Sequence, residues 1–115
     1  IRPLIMTDVK EDSELFASEQ FGPVLPVVKF RELSDVIQRC NNTSYGLGGS
    51  VWSRNLAQAE QVANQIQAGT VWINSHADVS PHAVFGGWKM SGLGYSFALD
   101  GLLQYTKQQA VHGGA

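Results

Sequence analysis

The sequence lacks several features that would direct it to particular classes of protein. No apolar run approaches the roughly 20 residues of a membrane-spanning helix, and the first residues do not resemble a secretory signal. The single cysteine, Cys40, cannot supply a disulfide framework and suits a reducing compartment. A formal net charge of −2 gives no attraction to nucleic acid or to an anionic membrane. We therefore predict a cytoplasmic protein that binds neither a membrane nor a nucleic acid.

The sequence patterns that are present predict an α/β fold. The 115 residues are 43% hydrophobic and 16% charged, which is typical of one compact domain or part of one. Short apolar runs predict strands, and apolar residues at helical spacing predict helices between them. The resulting β-α-β-α-β order predicts a mostly parallel sheet with crossover helices. The predicted strands are 4–9, 24–30, 47–52 and 70–73, and the predicted helices are 11–17, 33–40, 56–66 and 97–103.

Two of the predicted helices have a recognisable apolar face. In the predicted helix at 33–40, Cys40 is the last apolar position, so we predict a small buried residue rather than a reactive thiol. In the second, Ser53 or Asn55 is the expected N-terminal cap and Gly69 the C-terminal cap. We expect its buried face to comprise Leu56, Ala59, Ala63 and Ile66.

The stretch from Gly69 to Gly94 has the character of a ligand-site rim. Its β-branched and aromatic run, 70–73, predicts a strand that is buried on both faces. A loop of about ten residues follows, which exceeds the ~4–6 residues of an ordinary connection. The run Phe85-Gly86-Gly87 and the pair Gly92 and Gly94 then allow the backbone to turn tightly and approach another surface.

Three motifs, which follow one another in the same order as in the family, resemble the C-terminal part of aldehyde dehydrogenases, which oxidise aldehydes with NAD or NADP. They are Glu19-Gln20-Phe21-Gly22-Pro23, the run from Ala68 to Asn74, and the run from Phe85 to Gly92. The resemblance implies oxidation of an aldehyde to a carboxylate through a cysteine thiohemiacetal and hydride transfer to nicotinamide. It also places the nucleophile and the base before Glu19. We therefore assign no catalytic residue to this chain and expect a fragment that is inactive alone.

Glu19 and Phe21 are the predicted cofactor-binding residues. A carboxylate can accept hydrogen bonds from two ribose hydroxyls, and an aromatic ring can cover the apolar side of a nicotinamide nucleotide. The resemblance assigns both positions to the nicotinamide half of the cofactor. From the residues alone, a solvated loop carboxylate and a core phenylalanine remain the alternative. We expect both residues to share one rim with the glycine turn at 86–87.

The resemblance also implies an aldehyde pocket lined by Phe85, Val79, Asp78 and His76. The alternative is that Phe85 and Val79 only pack against neighbours, and that Asp78 and His76 are solvated. The spacing His76, Asp78 and His82 matches no standard metal motif, so we predict no metal site.

The sequence departs from the family pattern in two places. Val84 stands where proline commonly precedes the Phe-Gly-Gly run. Gly94-Tyr95-Ser96 stands where Gly-Arg-Glu is common. Without the arginine and glutamate, this turn must be held in another way.

The end of the chain predicts an assembly element. The run from Tyr105 to His112 is polar for a core strand and resembles an edge strand that needs a partner. The resemblance implies that residues 1–103 belong to the catalytic domain and that 104–115 form an oligomerisation strand and tail. We expect a homo-oligomer, either a dimer or a tetramer. A non-catalytic α/β assembly module is the alternative function.

Overall fold

The computed structural model describes residues 1–114, and its secondary structure alternates between strands and helices. The strands are β1 (Leu4–Thr7), β2 (Val24–Val27), β3 (Gly48–Val51) and β4 (Thr70–Ile73). The α-helices are α1 (Glu14–Ala17), α2 (Leu33–Asn41), α3 (Leu56–Ala63) and α4 (Ala98–Leu103), and Lys89–Ser91 form a 3₁₀ turn. The predicted order of elements up to β4 is confirmed.

All described strand pairs are parallel, as the sequence predicts. β1 pairs with β2 in a register that runs from Leu4 opposite Val24 to Thr7 opposite Val27. β3 pairs with β4 from Gly48 opposite Thr70 to Val51 opposite Ile73. Within residues 1–114 the strands form two separate two-stranded sheets. Each parallel pair is joined by a crossover that contains a helix.

The first compact unit, Ile1–Arg39, contains β1 and β2 but no buried residue. Arg39 joins its parts, because its guanidinium forms ion pairs with Glu11 and with Asp35, the latter at 3.0 Å. The same group donates to the Lys29 carbonyl at 3.4 Å. The hydrogen bonds that the guanidinium donates, first to Glu11 and then to Asp35, raise the pKa of Arg39. The unit is therefore held by backbone pairing and exposed polar contacts.

The second unit begins at Cys40, and its core consists of small residues. Ala59 of α3 is 1% exposed and Ala68 is also buried, as are Gly46 and Gly101. The helix α3 packs against β3 and β4. Of the two predicted candidates, Asn55 rather than Ser53 caps α3, and its side-chain oxygen accepts a hydrogen bond from the Gln58 amide at 3.1 Å.

Several predictions for the two longer helices are wrong. α3 ends at Ala63 and its C-terminal cap is Asn64, so Gly69 is not the cap. Leu56 is 63% exposed because it opens the first turn, whereas the contacts with β3 and β4 bury Ala59 one turn later. Cys40 is exposed rather than buried. Its position on an apolar face did not predict burial, because no residue of α2 is buried.

Two strand predictions also need correction. Every residue of β4 is half-buried rather than fully buried, since within the described chain β4 pairs only with β3. The predicted C-terminal edge strand over Tyr105 to His112 is not formed: α4 ends at Leu103, and residues 107–114 have no regular structure. An edge strand requires a neighbouring strand to satisfy its amides, and no described strand lies beside this segment. Among residues 1–114, no helix has the length and apolarity to cross a membrane.

Candidate functional site

The Glu19–Pro23 loop of the first unit is closed by one side chain, that of Gln20. Its amide nitrogen donates to the Val24 carbonyl at 2.6 Å, and its amide oxygen accepts from the Gly22 backbone N–H at 3.2 Å. The Gly22 carbonyl also accepts a hydrogen bond from the Val24 amide at 2.8 Å. Gln20 thereby fixes the turn between Glu19 and β2, a role that the sequence analysis did not assign to it.

This closed turn presents Phe21 and Glu19 outward. Phe21 is 96% exposed and Glu19 is also exposed, so Phe21 is not a core residue within the part of the chain that the structure describes. A side chain at Gly22 would meet no atom within 4 Å, so the space beside the turn is open. An exposed ring next to an exposed carboxylate offers one apolar face and one anionic acceptor to a ligand.

In the second unit, Asn74 anchors the start of the long loop after β4. Its backbone N–H donates to the Val51 carbonyl at 2.9 Å and so continues the pairing of β4 with β3. Its carboxamide then accepts from the Ser53 amide at 2.8 Å and donates to the Ser53 carbonyl at 2.9 Å. Asn74 has a φ of 53°, a left-handed conformation that asparagine tolerates well. Asn74 therefore attaches the start of the loop to the segment that follows β3.

The next residues of this loop contact the indole ring of Trp72. The indole Nε1 of Trp72 donates to the backbone carbonyl of Asp78 at 2.7 Å. The His76 ring contacts the same indole in an edge-on arrangement, with ring centroids 5.3 Å apart. The structure thus brings His76 and Asp78 to one tryptophan, although the side chains of both residues are exposed. Val79 follows and is 43% exposed, so it does not belong to the core.

Phe85 is half-buried and held by its backbone. Its N–H donates to the Ser96 carbonyl at 2.9 Å, and its carbonyl accepts from the Ser96 N–H at 2.8 Å. The turn at 94–96 lacks the arginine and glutamate that are common there in the family. The backbone hydrogen bonds of this antiparallel bridge hold the turn instead. Left-handed backbone angles occur at Gly94 in this turn, with φ of 86°, and at Phe97 directly after it, with φ of 65°.

The glycines after Phe85 are packed against other backbone. A Cβ atom on Gly69 would lie only 1.6 Å from the Gly86 carbonyl oxygen, so these two segments touch. A Cβ on Gly86 would lie 2.5 Å from the Gly94 carbonyl oxygen, and one on Gly87 would lie 2.6 Å from the Ser91 Cβ. The predicted close approach at this turn is confirmed. It fixes the path of the chain directly after Phe85.

The candidate residues divide between the two units. Glu19 and Phe21 belong to the first unit, and His76, Asp78, Val79 and Phe85 belong to the second. The expectation of a shared rim stays a prediction. Among residues 1–114, no group of three or more His, Cys, Asp or Glu side chains is placed to hold a metal ion.

Comparison with known proteins connects this arrangement to a family. The profile of the aldehyde dehydrogenase family matches residues 1–111. The chain belongs to the aldehyde dehydrogenase family. It is 42% identical over 111 residues to aldehyde dehydrogenase 1A1 of Oryctolagus cuniculus, a match that covers 96% of this chain and 22% of that relative.

Solved aldehyde dehydrogenases have the same fold over most of the chain. An enzyme from Bacillus cereus superposes with a TM-score of 0.86 at 44% identity and covers 90% of this chain and 21% of its own. A Mycobacterium tuberculosis enzyme complexed with NAD⁺ has a TM-score of 0.87 at 34% identity, with coverage of 91% and 22%. The 115 residues therefore span about a fifth of the length of these aldehyde dehydrogenases.

Proposed function

We propose that the protein carrying this chain is an NAD(P)-dependent aldehyde dehydrogenase that oxidises an aldehyde to a carboxylate. The observation that carries this proposal is the family match over residues 1–111, which includes both the Glu19–Pro23 loop and the Phe85 turn. The likeness to an aldehyde dehydrogenase complexed with NAD⁺ supports the choice of cofactor.

The Glu19–Pro23 loop fits the nicotinamide half of such a cofactor. Phe21 is almost fully exposed, and the space beside Gly22 is open, so a flat ligand can reach the ring without a change in the turn. The Glu19 carboxylate would accept hydrogen bonds from the ribose hydroxyls. The Phe21 ring would cover an apolar face of the ligand and exclude water from it. When bound, the nicotinamide ring supplies the hydride acceptor.

The loop and turn of the second unit would form part of the aldehyde pocket. We propose that Phe85, Val79, Asp78 and His76 line it. Phe85 is the best supported of these, because its backbone is fixed by Ser96 while its ring remains half-exposed. Val79 offers an exposed aliphatic surface, which would leave more room for substrate than an aromatic ring would.

We assign no catalytic nucleophile or base to these 115 residues. The family resemblance places both groups before the Glu19 motif, and Cys40 lies after it. We therefore propose that residues 1–115 alone do not oxidise aldehydes. We also propose that residues 104–115 supply an oligomerisation strand and tail in a homo-oligomer, a dimer or a tetramer, where a neighbouring subunit would satisfy the backbone amides of the strand.

The test is an activity assay of the full polypeptide that carries this chain, expressed from its gene. It is mixed with short, long and aromatic aldehydes and with NAD⁺ or NADP⁺, and the ultraviolet absorbance of the reduced cofactor is followed. We expect one reduced cofactor for each carboxylate formed. Residues 1–115 expressed alone serve as the comparison and should give no turnover. A full polypeptide without turnover would contradict the proposal and favour a non-catalytic assembly module.

A further inference from the structure

Gly46 is the point where three segments of the second unit meet. It is buried, and its carbonyl accepts hydrogen bonds from the Gly69 amide at 3.0 Å and the Trp88 amide at 2.9 Å. Its own N–H donates to the Ser91 hydroxyl oxygen at 2.8 Å. The two backbone groups of this residue thus join the start of β4 to the chain that follows Phe85.

The segments 41–46 and 88–91 are connected at further points. The Met90 amide donates to the Ser44 carbonyl at 2.9 Å. The Lys89 ammonium donates to the Asn41 carbonyl at 2.7 Å. Both acceptors are backbone carbonyls, so the 3₁₀ turn at 89–91 is attached to the backbone of the 41–46 segment.

Ser91 occupies the gap between Gly46 and the turn that carries Phe85. Its hydroxyl contacts Gly46, and its backbone and Cβ lie so close to Gly87 that a side chain on that glycine would be 2.5–2.6 Å away. Gly87 is two residues after Phe85. Ser91 therefore packs directly beside the backbone that follows Phe85, so its position is coupled to the path of that backbone.

We infer that Ser91 is a positioning residue, whose hydroxyl holds the Phe85 turn in place and so helps to set the shape of the aldehyde pocket. This inference rests on the proposed function, since it assigns Phe85 to the pocket. The hydroxyl is the acceptor for the N–H of a buried residue, and a buried donor without an acceptor is unfavourable. Loss of the hydroxyl would leave the Gly46 N–H without this acceptor and loosen the packing around Ser91, while the other hydrogen bonds between 41–46 and 88–91 remain.

The experiment compares Ser91→Ala with Ser91→Thr in the full polypeptide. Threonine keeps a hydroxyl at this position, whereas alanine removes it. Ser34→Ala is the matched control, since Ser34 is an exposed serine in α2. Circular dichroism first establishes that each variant is folded. Three quantities follow: exchange of the Gly46 amide, the fluorine NMR signal of para-fluorophenylalanine at position 85, and the ratio of kcat/KM for an aromatic and a short aliphatic aldehyde.

For Ser91→Ala we expect roughly tenfold or faster exchange of the Gly46 amide. We also expect a displaced fluorine signal and a change of about threefold to tenfold in the kcat/KM ratio. Ser91→Thr and Ser34→Ala should match the unmodified protein. Faster exchange with an unchanged fluorine signal would overturn the inference, because Ser91 would then act only on stability. A Thr variant that behaves like the Ala variant would also overturn it. If the unmodified protein oxidises no aldehyde, the proposed function fails, while the exchange and fluorine measurements still decide whether Ser91 positions Phe85.

Discussion

In the first unit, one exposed side chain, Gln20, closes the loop that presents Phe21, whereas in the second unit glycine contacts between backbone segments fix the turn after Phe85. The first arrangement leaves open space at Gly22 and an almost fully exposed ring. The second leaves no room for even one added methyl group at Gly69. The two candidate aromatic contacts are thus supported in physically different ways.

This difference suits the two ligands that we propose. A loop closed by exposed hydrogen bonds can adjust to a cofactor that arrives and leaves in each cycle. A wall that must distinguish aldehydes by size benefits from a backbone that cannot relax, because selectivity depends on how well a pocket resists deformation. The comparison predicts that mutations at the glycine contacts affect stability strongly, whereas mutations in the Glu19–Pro23 loop affect ligand binding.

The largest expected effect comes from Gly69→Ala compared with Gly22→Ala. The new methyl group at position 69 would overlap the Gly86 carbonyl oxygen, so two backbone segments must separate, at a cost of about 3 kcal/mol or more. The same change at Gly22 meets no atom, and we expect less than about 0.5 kcal/mol. Urea unfolding of both variants measures the difference. Equal losses of unfolding free energy in the two variants would contradict the claim that the two turns are supported in different ways.

A smaller loss of stability is expected for Trp72→Phe. This change removes the indole N–H that donates to the Asp78 carbonyl and alters the contact with His76, so we expect a loss of about 1–2 kcal/mol. Trp88→Phe is the control. The side-chain atom of Trp88 that lies near Gly46 is its Cβ, and phenylalanine keeps that atom. Thermal unfolding followed by calorimetry would show the result. If the control is the more damaging change, Trp72 does not anchor this loop.

Gln20→Ala should change binding more than stability. Both hydrogen bonds of Gln20 are exposed, so we expect at most about 0.5 kcal/mol of lost stability. The turn would have to be ordered when the cofactor binds, which we expect to raise the Kd for NAD⁺ about fivefold. Gln20→Glu keeps an oxygen acceptor for the Gly22 amide but loses the donor to Val24, and its Kd should be intermediate. Isothermal titration calorimetry measures all three proteins, and an unchanged Kd in Gln20→Ala would remove the positioning role of Gln20.

The smallest effect is expected for Arg39→Gln. Its ion pairs with Glu11 and Asp35 are near the surface, where such pairs contribute little. The raised pKa of Arg39 keeps the guanidinium charged well above neutral pH, so its stabilising contribution is present at neutral pH and is lost on the alkaline side only in strong alkali. We expect a small decrease in Tm that shrinks as salt is added. A decrease larger than that of Trp72→Phe would show that the first unit depends on this cluster.

The sequence was sufficient to predict the order of elements, the parallel pairing and the close backbone approach at Gly86 and Gly87. Apolar runs and glycine spacing report on local conformation, which explains this success. It also narrowed the cap of α3 to Ser53 or Asn55, since a capping side chain acts within one helical turn, and the structure selects Asn55. The exposed positions of Leu56 and Cys40 were not predictable, because periodicity identifies an apolar face but not whether another element covers it.

The positioning residues were not predicted for a related reason. Gln20, Asn74 and Ser91 are ordinary polar residues, and nothing in their local sequence indicates which backbone groups they bind. Asn74 bonds to Ser53, 21 positions earlier, and Ser91 bonds to Gly46, 45 positions earlier. The expected strand at 105–112 is absent because a strand depends on a neighbour rather than on its own sequence.

The most direct test of the account compares Phe21→Ala with Phe85→Ala in the full polypeptide, with the Kd for NAD⁺ and the preference among aldehydes measured for each. We expect Phe21→Ala to raise the Kd about tenfold without changing the aldehyde preference, since an exposed ring is lost from the cofactor loop. Phe85→Ala should change the preference and leave the Kd unaltered. If both variants change the same quantity, or if Phe21→Ala leaves the Kd unchanged, the division of roles between the two units is wrong.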